Sequence, residues 1–309
     1  MPEPGLRRVW RPPFPLDVRL TLSDLRHGPL DPCHRLDGAG GVWRCSLLPS
    51  GAVSYRVAQP SPTQVTVDAW GAGAAELVDG LPDLLGAHDR PETFAPEQPE
   101  LAEAHRRRIG FRVPRTGRVL EALVPAIVEQ RVIGIDAHAS WRWLVSRHGA
   151  PAPGPAPSGM RLPPTPEAWM AIPSWDWHHA GVDVHRRRAA QAAAAAAGAL
   201  ERSAAQTPVD LASVYRRLRS LPGIGVWTAA QVGHRALGDA DALPLGDYHL
   251  TDLVGFGLLG HPLTEEEVEA YCERWRPHRY RAIRLLELAP FPRRPRRAPR
   301  RPLHSWRRR

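Results

Sequence analysis

The spacing of the apolar residues changes once along the chain, and that change limits the folds open to it. Up to residue 70 the apolar positions sit in short runs rich in Val, Thr and aromatics, parted by Gly, Pro and Ser: GVWRCSLL (41–48), AVSYRVA (52–58) and TQVTVDAW (63–70). Such runs read as strands, and LDVRLTL (16–22), which alternates apolar with polar residues, reads as another. GAAELVDGLPDLLG (73–86) predicts a helix with an internal proline. From residue 101 the pattern is helical: Leu120, Leu123, Val124, Ile127 and Val128 recur at three- and four-residue spacing within 117–149. Pro125 lies inside that stretch and should start or kink a turn. A Pro/Gly loop follows at 150–165, then an Ala-rich helix at 182–204, an amphipathic helix at 209–220 and the last helices at 265–288; alanine is the best helix former. The fold expected is mainly α with a small N-terminal α+β domain. Residues 1–90 form that domain, 91–113 a linker and the first helix of the body, 114–290 the helical body, and 291–309 a disordered Arg/Pro tail.

Charge narrows the partners. The net charge is +9, and residues 288–309 hold nine arginines and no acid, so the rest of the chain is balanced. A basic tail of this kind points to a polyanion, nucleic acid above all. The chain contains no lysine: each of its 41 basic residues is arginine. Arginine does not form a Schiff base, so a lysine nucleophile is excluded and only the terminal amine could substitute. No apolar run approaches the roughly 18 residues of a membrane span. The start, MPEPGLRRVWRPPFP, lacks the apolar core of a signal peptide. Cys33, Cys45 and Cys272 are odd in number and scattered, which suits a reducing cytoplasm.

The stretch LPGIGVWTAA (221–230) puts a five-residue turn, Leu221, Pro222, Gly223, Ile224 and Gly225, between helices at 209–220 and 226–237. Both glycines permit positive φ and leave backbone N–H groups unshielded. At the start of a helix such amides make an anion site suited to phosphate, one that contacts backbone and not base edges. Asp247 follows 22 residues after Gly225, placed to cap a helix starting near Tyr248.

The string Leu-Pro-Gly-Ile-Gly followed by a helix resembles the helix-hairpin-helix element of the DNA glycosylase superfamily, and the Asp-Tyr of GDYHL resembles that of its AlkA-like 3-methyladenine members. RPPF (11–14), LVPAIVEQRV and ERWRPHR (273–279) extend the resemblance over most of the chain. It implies a TBP-like N-terminal domain, a two-lobed helical body, and flipping of a damaged base out of duplex DNA into the cleft. Asp247 would then be the carboxylate that stabilises the oxocarbenium-like sugar or activates water, and Leu221–Gly225 with Gln130 and Arg131 would contact the DNA. Trp227 stands where lyase-type relatives carry a Schiff-base lysine, which implies a monofunctional enzyme. With Gln231 and Tyr248 it would form the base pocket. The carbonyls of Arg219, Leu221 and Ile224 would hold a monovalent cation, with no other cofactor. The four-cysteine iron–sulfur loop of other relatives is not matched, since only Cys272 lies beyond the hairpin. Gln231 replaces a pocket Tyr, Glu287 the C-terminal pocket Trp, and LGD the family's PDD. The expectation is a cytoplasmic monomer that binds double-stranded DNA without a membrane and excises alkylated purines. The alternative is a catalytically silent helix-hairpin-helix DNA-binding protein.

Overall fold

The computed structural model describes residues 5–206 and 208–291. Residues 292–309, which carry the Arg/Pro tail, lie outside the described residues. The chain opens with strands β1 (Leu6–Trp10), β2 (His34–Leu36), β3 (Val42–Leu48), β4 (Gly51–Ser61) and β5 (Gln64–Trp70). They form one antiparallel sheet in the order β1-β5-β4-β3-β2. The run 16–22, expected as a strand, is instead helix α1 (Val18–Ser23). Its Asp17 side chain accepts the Leu20 N–H at 2.9 Å, a helix N-cap. Its buried residues, Val18, Thr21 and Leu22, share one helical face. Strand β1 is legible only from its pairing with β5, because LRRVW is mostly exposed.

The expected helix at 73–86 divides at Gly80 into α2 (Ala74–Asp79) and α3 (Leu81–Leu84). Pro82 falls in the first turn of α3, where its missing N–H costs nothing. Leu22, Val57, Val67 and Leu81 are fully buried between these helices and the sheet.

The body follows: α4 (Pro99–Arg107), α5 (Val119–Glu129), α6 (Gly134–His148), α7 (Pro166–Ala171), α8 (Ser174–Ala180), α9 (Val184–Ala195) and α10 (Ala197–Ala204), then α11 (Leu211–Arg219), α12 (Val226–Val232), α13 (Leu250–Val254), α14 (Glu265–Cys272) and α15 (Arg279–Leu288). Helix α5 runs through Pro125, and the chain breaks only after Gln130. One core surrounds α5, with Leu123 and Ile127 packed among Ala190, Ala193, Trp169 and Trp177. A second joins α4 to α13, α14 and α15 through Leu101, Val254, Val268 and Leu285.

Buried charges tie these parts together. Arg281 of α15 is fully buried, pairs with Asp89, and donates to the Phe111 carbonyl at 3.2 Å. Glu121 of α5 reaches β3, accepting from Ser46 Oγ and the Leu47 N–H, both at 2.7 Å. Glu201 of α10 accepts the first N–H groups of α5, those of Val119 and Leu120, both at 3.0 Å. A carboxylate there satisfies orphan donors and meets the positive end of the helix dipole.

Candidate active site

The hairpin joins α11 to α12. Of its two glycines only Gly223 uses the left-handed region, with φ +78°. Gly225 has φ −96° and caps α12, and a Cβ there would meet open space. It therefore keeps the amides at the start of α12 accessible without needing glycine's conformational freedom. The Leu221 carbonyl accepts the Ile224 N–H at 3.2 Å and closes the turn. Gln130, expected to contact the DNA, braces the hairpin: its amide donates to the Gly223 carbonyl at 2.9 Å and to Thr228 Oγ1 at 2.8 Å. The C-terminal end of α5 delivers it there. Arg131 next to it is exposed and holds φ +57°, the one non-glycine among the described residues with positive φ. Such a conformation costs of order 1–2 kcal/mol.

Beyond α12 the chain makes a π-helical turn, Gly233–Leu237, closed by Gly238 at φ +71°. Gly233 is required by contact, since a Cβ there would lie 2.0 Å from the Tyr215 hydroxyl. π-turns recur at functional sites, and this one carries His234 and Arg235 into the wall of a 320 Å³ cavity.

Asp247 lies at that cavity and is half-buried. One carboxylate oxygen accepts the His249 N–H at 2.8 Å, and the other accepts the Trp227 indole N–H at 3.0 Å. The helix after it starts at Leu250, later than expected, so the carboxylate closes a turn ahead of α13. Trp227 and Asp247, 20 residues apart, are thus in direct contact. Gln231 lines the cavity, as does Glu287. Tyr248, expected in the pocket, is 69% exposed and stands edge-on to His249, because the turn that aims Asp247 inward sends its neighbour outward.

The rest of the wall comes from three distant segments. Asp24, at the end of α1, accepts from His234 Nδ1 at 2.7 Å and from the Tyr280 hydroxyl at 2.5 Å. The rings of His234 and Tyr280 stack 4.0 Å apart. Arg235 donates to the Asp24 carbonyl at 3.0 Å and to the Gln231 side chain. Arg284 pairs with Glu287 at 2.8 Å. Burial alone would raise the Asp24 carboxyl, but His234, Arg235 and Arg284 hold it well below the usual carboxylate range. Burial, with Arg235 and Arg284 beside it, lowers His234 below the usual histidine range against the pull of Asp24. Burial also raises the Glu287 carboxyl against the pull of Arg284.

A solved 3-methyladenine DNA-glycosylase from Archaeoglobus fulgidus superposes with TM-score 0.75 and 20% identity, over 91% of this chain and 97% of that one. The fold is that of the helix-hairpin-helix DNA glycosylases. MBOgg1, solved in complex with a DNA ligand, matches this glycosylase fold with TM-score 0.71 and 17% identity, over 92% of this chain and 95% of its own. The Clostridium acetobutylicum 8-oxoguanine glycosylase/lyase gives TM-score 0.68 and 11% identity, covering 92% and 98%. Among curated proteins, the probable bifunctional transcriptional activator/DNA repair enzyme AlkA of Mycobacterium tuberculosis is 30% identical over 177 residues, 57% of this chain. The chain spans about a third of the length of the curated relatives it matches. No family model matches it. No helix among the described residues is long and apolar enough to cross a membrane.

Within this glycosylase fold, sequence reasoning missed Asp24, Arg26, His234, Arg235, Tyr280 and Arg284 in the cavity wall. One signal was available: in RYRAIRLLEL, Tyr280 and Arg284 stand four apart on a helix whose other positions are largely apolar.

Proposed function

We propose that this chain is a monofunctional DNA N-glycosylase that flips alkylated purines out of double-stranded DNA and hydrolyses their glycosidic bond. The observation that carries this reading is the Asp247 carboxylate, fixed at the cavity by the indole N–H of the hairpin helix and the N–H of its own turn. A base in the cavity leaves with the electrons of the C1′–N bond. Positive charge then develops on the sugar, and a fixed carboxylate stabilises it and orients the attacking water. Both hydrogen bonds hold the carboxylate before the reaction begins, so little reorganisation is needed.

The hairpin amides grip the phosphate backbone, and Arg131, exposed and held at positive φ beside the hairpin, enters the duplex where the base has left. A monovalent cation on the carbonyls of Arg219, Leu221 and Ile224 belongs to the same proposal and would stiffen the turn. Monofunctional chemistry is supported by the absence of lysine and by Trp227 at the position where a lyase needs an amine. The alkylated-purine class is supported by the AlkA relative and by the Archaeoglobus 3-methyladenine glycosylase.

The test is chromatographic release of free 3-methyladenine and 7-methylguanine from methylated duplex DNA by the full chain. Asp247→Asn should cut the single-turnover rate by roughly 100-fold or more, as removal of an electrostatic catalyst does. The abasic product strand should stay uncut. If wild type and variant are equally inert on alkylated, deaminated and oxidised duplexes, the enzyme reading fails and a silent DNA-binding protein takes its place.

A further inference from the structure

The loop after α1 turns its polar groups inward and its apolar tip outward. Asp31 is buried, and its carboxylate accepts the His27 N–H at 2.8 Å, the Cys33 N–H at 2.9 Å and the Trp141 indole N–H at 3.0 Å. Arg26 donates to the Pro29 carbonyl at 2.7 Å. Gly28 holds φ +84°, and a Cβ there would lie 2.7 Å from the His138 ring. Between these ties Pro29 and Leu30 stand exposed, Leu30 at 67%. A single exposed leucine is ordinary on a protein surface; the place of this one is not. His27 Nδ1 meets Glu129 Oε1 at 3.3 Å, two residues before Arg131. Arg26 lines the cavity that holds Asp247. His138, against Gly28, stands one turn beyond Gly134 and Ile135, and Ile135 is 65% exposed. The loop tip, the Arg131 turn and the start of α6 are thus gathered at one side of the cavity.

Resting on the glycosylase reading, we propose that Leu30 is a second wedge into duplex DNA, packing beside Arg131 into the base stack that the flipped nucleotide leaves open. The gap left by a flipped base is apolar inside and bounded by phosphates outside. Arg131 brings five N–H donors, each of which needs an acceptor. Leu30 fills apolar space and has no polar group to satisfy; leucine and proline are among the side chains that enter base steps. The loop is already fixed by Asp31, Arg26 and Gly28, so covering its tip orders little backbone. The exposed Arg131 and the half-buried Arg26 on either side favour DNA as the occupant. Phosphates would pair with both guanidiniums, whereas an apolar protein surface would strip them of water without compensation.

The experiment measures binding of the full chain to two duplexes by fluorescence anisotropy, one intact and one carrying a tetrahydrofuran abasic analogue, whose stack has a ready-made gap. The wild type should prefer the abasic duplex. Leu30→Ala should weaken abasic binding by about 10-fold, equivalent to ~1.4 kcal/mol, and leave intact-duplex affinity and thermal stability unchanged, since the tip is exposed. Leu30→Met, which keeps an apolar side chain of similar size, should restore most of the preference; a merely structural role would not separate the two duplexes. Leu30→Ala that binds the abasic duplex like the wild type, or that weakens both duplexes alike, overturns the inference and leaves the glycosylase reading standing. Equal affinity of the wild type for the two duplexes overturns it as well. Only if the wild type also releases no lesion does the glycosylase reading fall with it.

Discussion

The hairpin and the cavity share helix α12 but are held by different forces. The hairpin is shaped by backbone: one left-handed glycine, one capping glycine in open space, and a glutamine amide bracing the turn. The cavity is shaped by charge. Asp24, His234, Tyr280, Arg235 and Arg284 come from three separate segments and satisfy one another in the interior. A backbone-built site tolerates side-chain change wherever φ allows it. A charge-built site does not, because each group removed leaves another buried and unpaired. Substitution should therefore hurt the cavity wall more than the hairpin.

The largest expected effect is at Asp24. Asp24→Asn removes the charge that Arg235, Arg284, His234 and the Tyr280 hydroxyl surround, and should cost about 3 kcal/mol of stability, the scale of breaking a buried ionic cluster. Because the Asp24 carboxyl is lowered in the folded chain, its contribution is present above its ordinary pKa of 3.8 and is lost only as pH falls through the lowered value. Denaturant midpoints of wild type and variant should differ by the same amount from pH 5 to pH 8 and converge only in strong acid. A difference that vanished by pH 5 would mean that Asp24 is not held ionised by this cluster.

A smaller effect is expected at the hairpin. Gly223→Ala forces a side chain into φ +78° and brings its Cβ to 3.2 Å from Ala189, costing about 1–2 kcal/mol. Gly225→Ala meets no strain and nothing within 4 Å, so stability should change by less than about 0.5 kcal/mol. Both add a methyl beside the amides proposed to face the phosphate, and both should weaken duplex binding in fluorescence anisotropy. If Gly225→Ala binds DNA like the wild type, those amides do not grip the backbone.

The same contrast explains what the sequence disclosed. The hairpin was legible because its determinants are contiguous: a proline, two glycines and a helix start within ten residues. Asp247 was legible for the same reason, as a turn carboxylate at a fixed distance downstream. Strands β3, β4 and β5 announced themselves by β-branched runs, whereas β1 did not, since its arginines pair at the sheet edge and carry no apolar alternation. LDVRLTL misled because alternation and helical spacing coincide in seven residues, and Asp17 settles the matter by capping. The cavity wall was hidden because Asp24 acquires its meaning only when α15, 256 residues away, brings Tyr280 against it. Tyr248 turns outward because a family position fixes where the backbone passes and not which way the side chain turns.

The bond between the two regions gives the smallest expected effect and the sharpest distinction. Trp227 Nε1–H to Asp247 Oδ2, at 3.0 Å, is the direct side-chain link from the hairpin helix to the carboxylate. Trp227→Phe keeps an aromatic ring against the same neighbours and deletes only the N–H. A single hydrogen bond to a charged acceptor contributes about 1.5–3 kcal/mol. Asp247 is half-buried and retains the His249 N–H, so the loss should fall at the low end, roughly tenfold in single-turnover excision. Stability should fall by no more than about that amount and duplex affinity should stay unchanged, because the ring and the hairpin backbone are intact. In the Asp247→Asn background the same substitution should have little further effect, since the group it positions no longer carries charge. A tenfold loss that persisted there would assign Trp227 to the base or the DNA. An undiminished rate in Trp227→Phe alone would mean that the turn at His249 suffices to aim the carboxylate, and that hairpin and cavity act as independent parts.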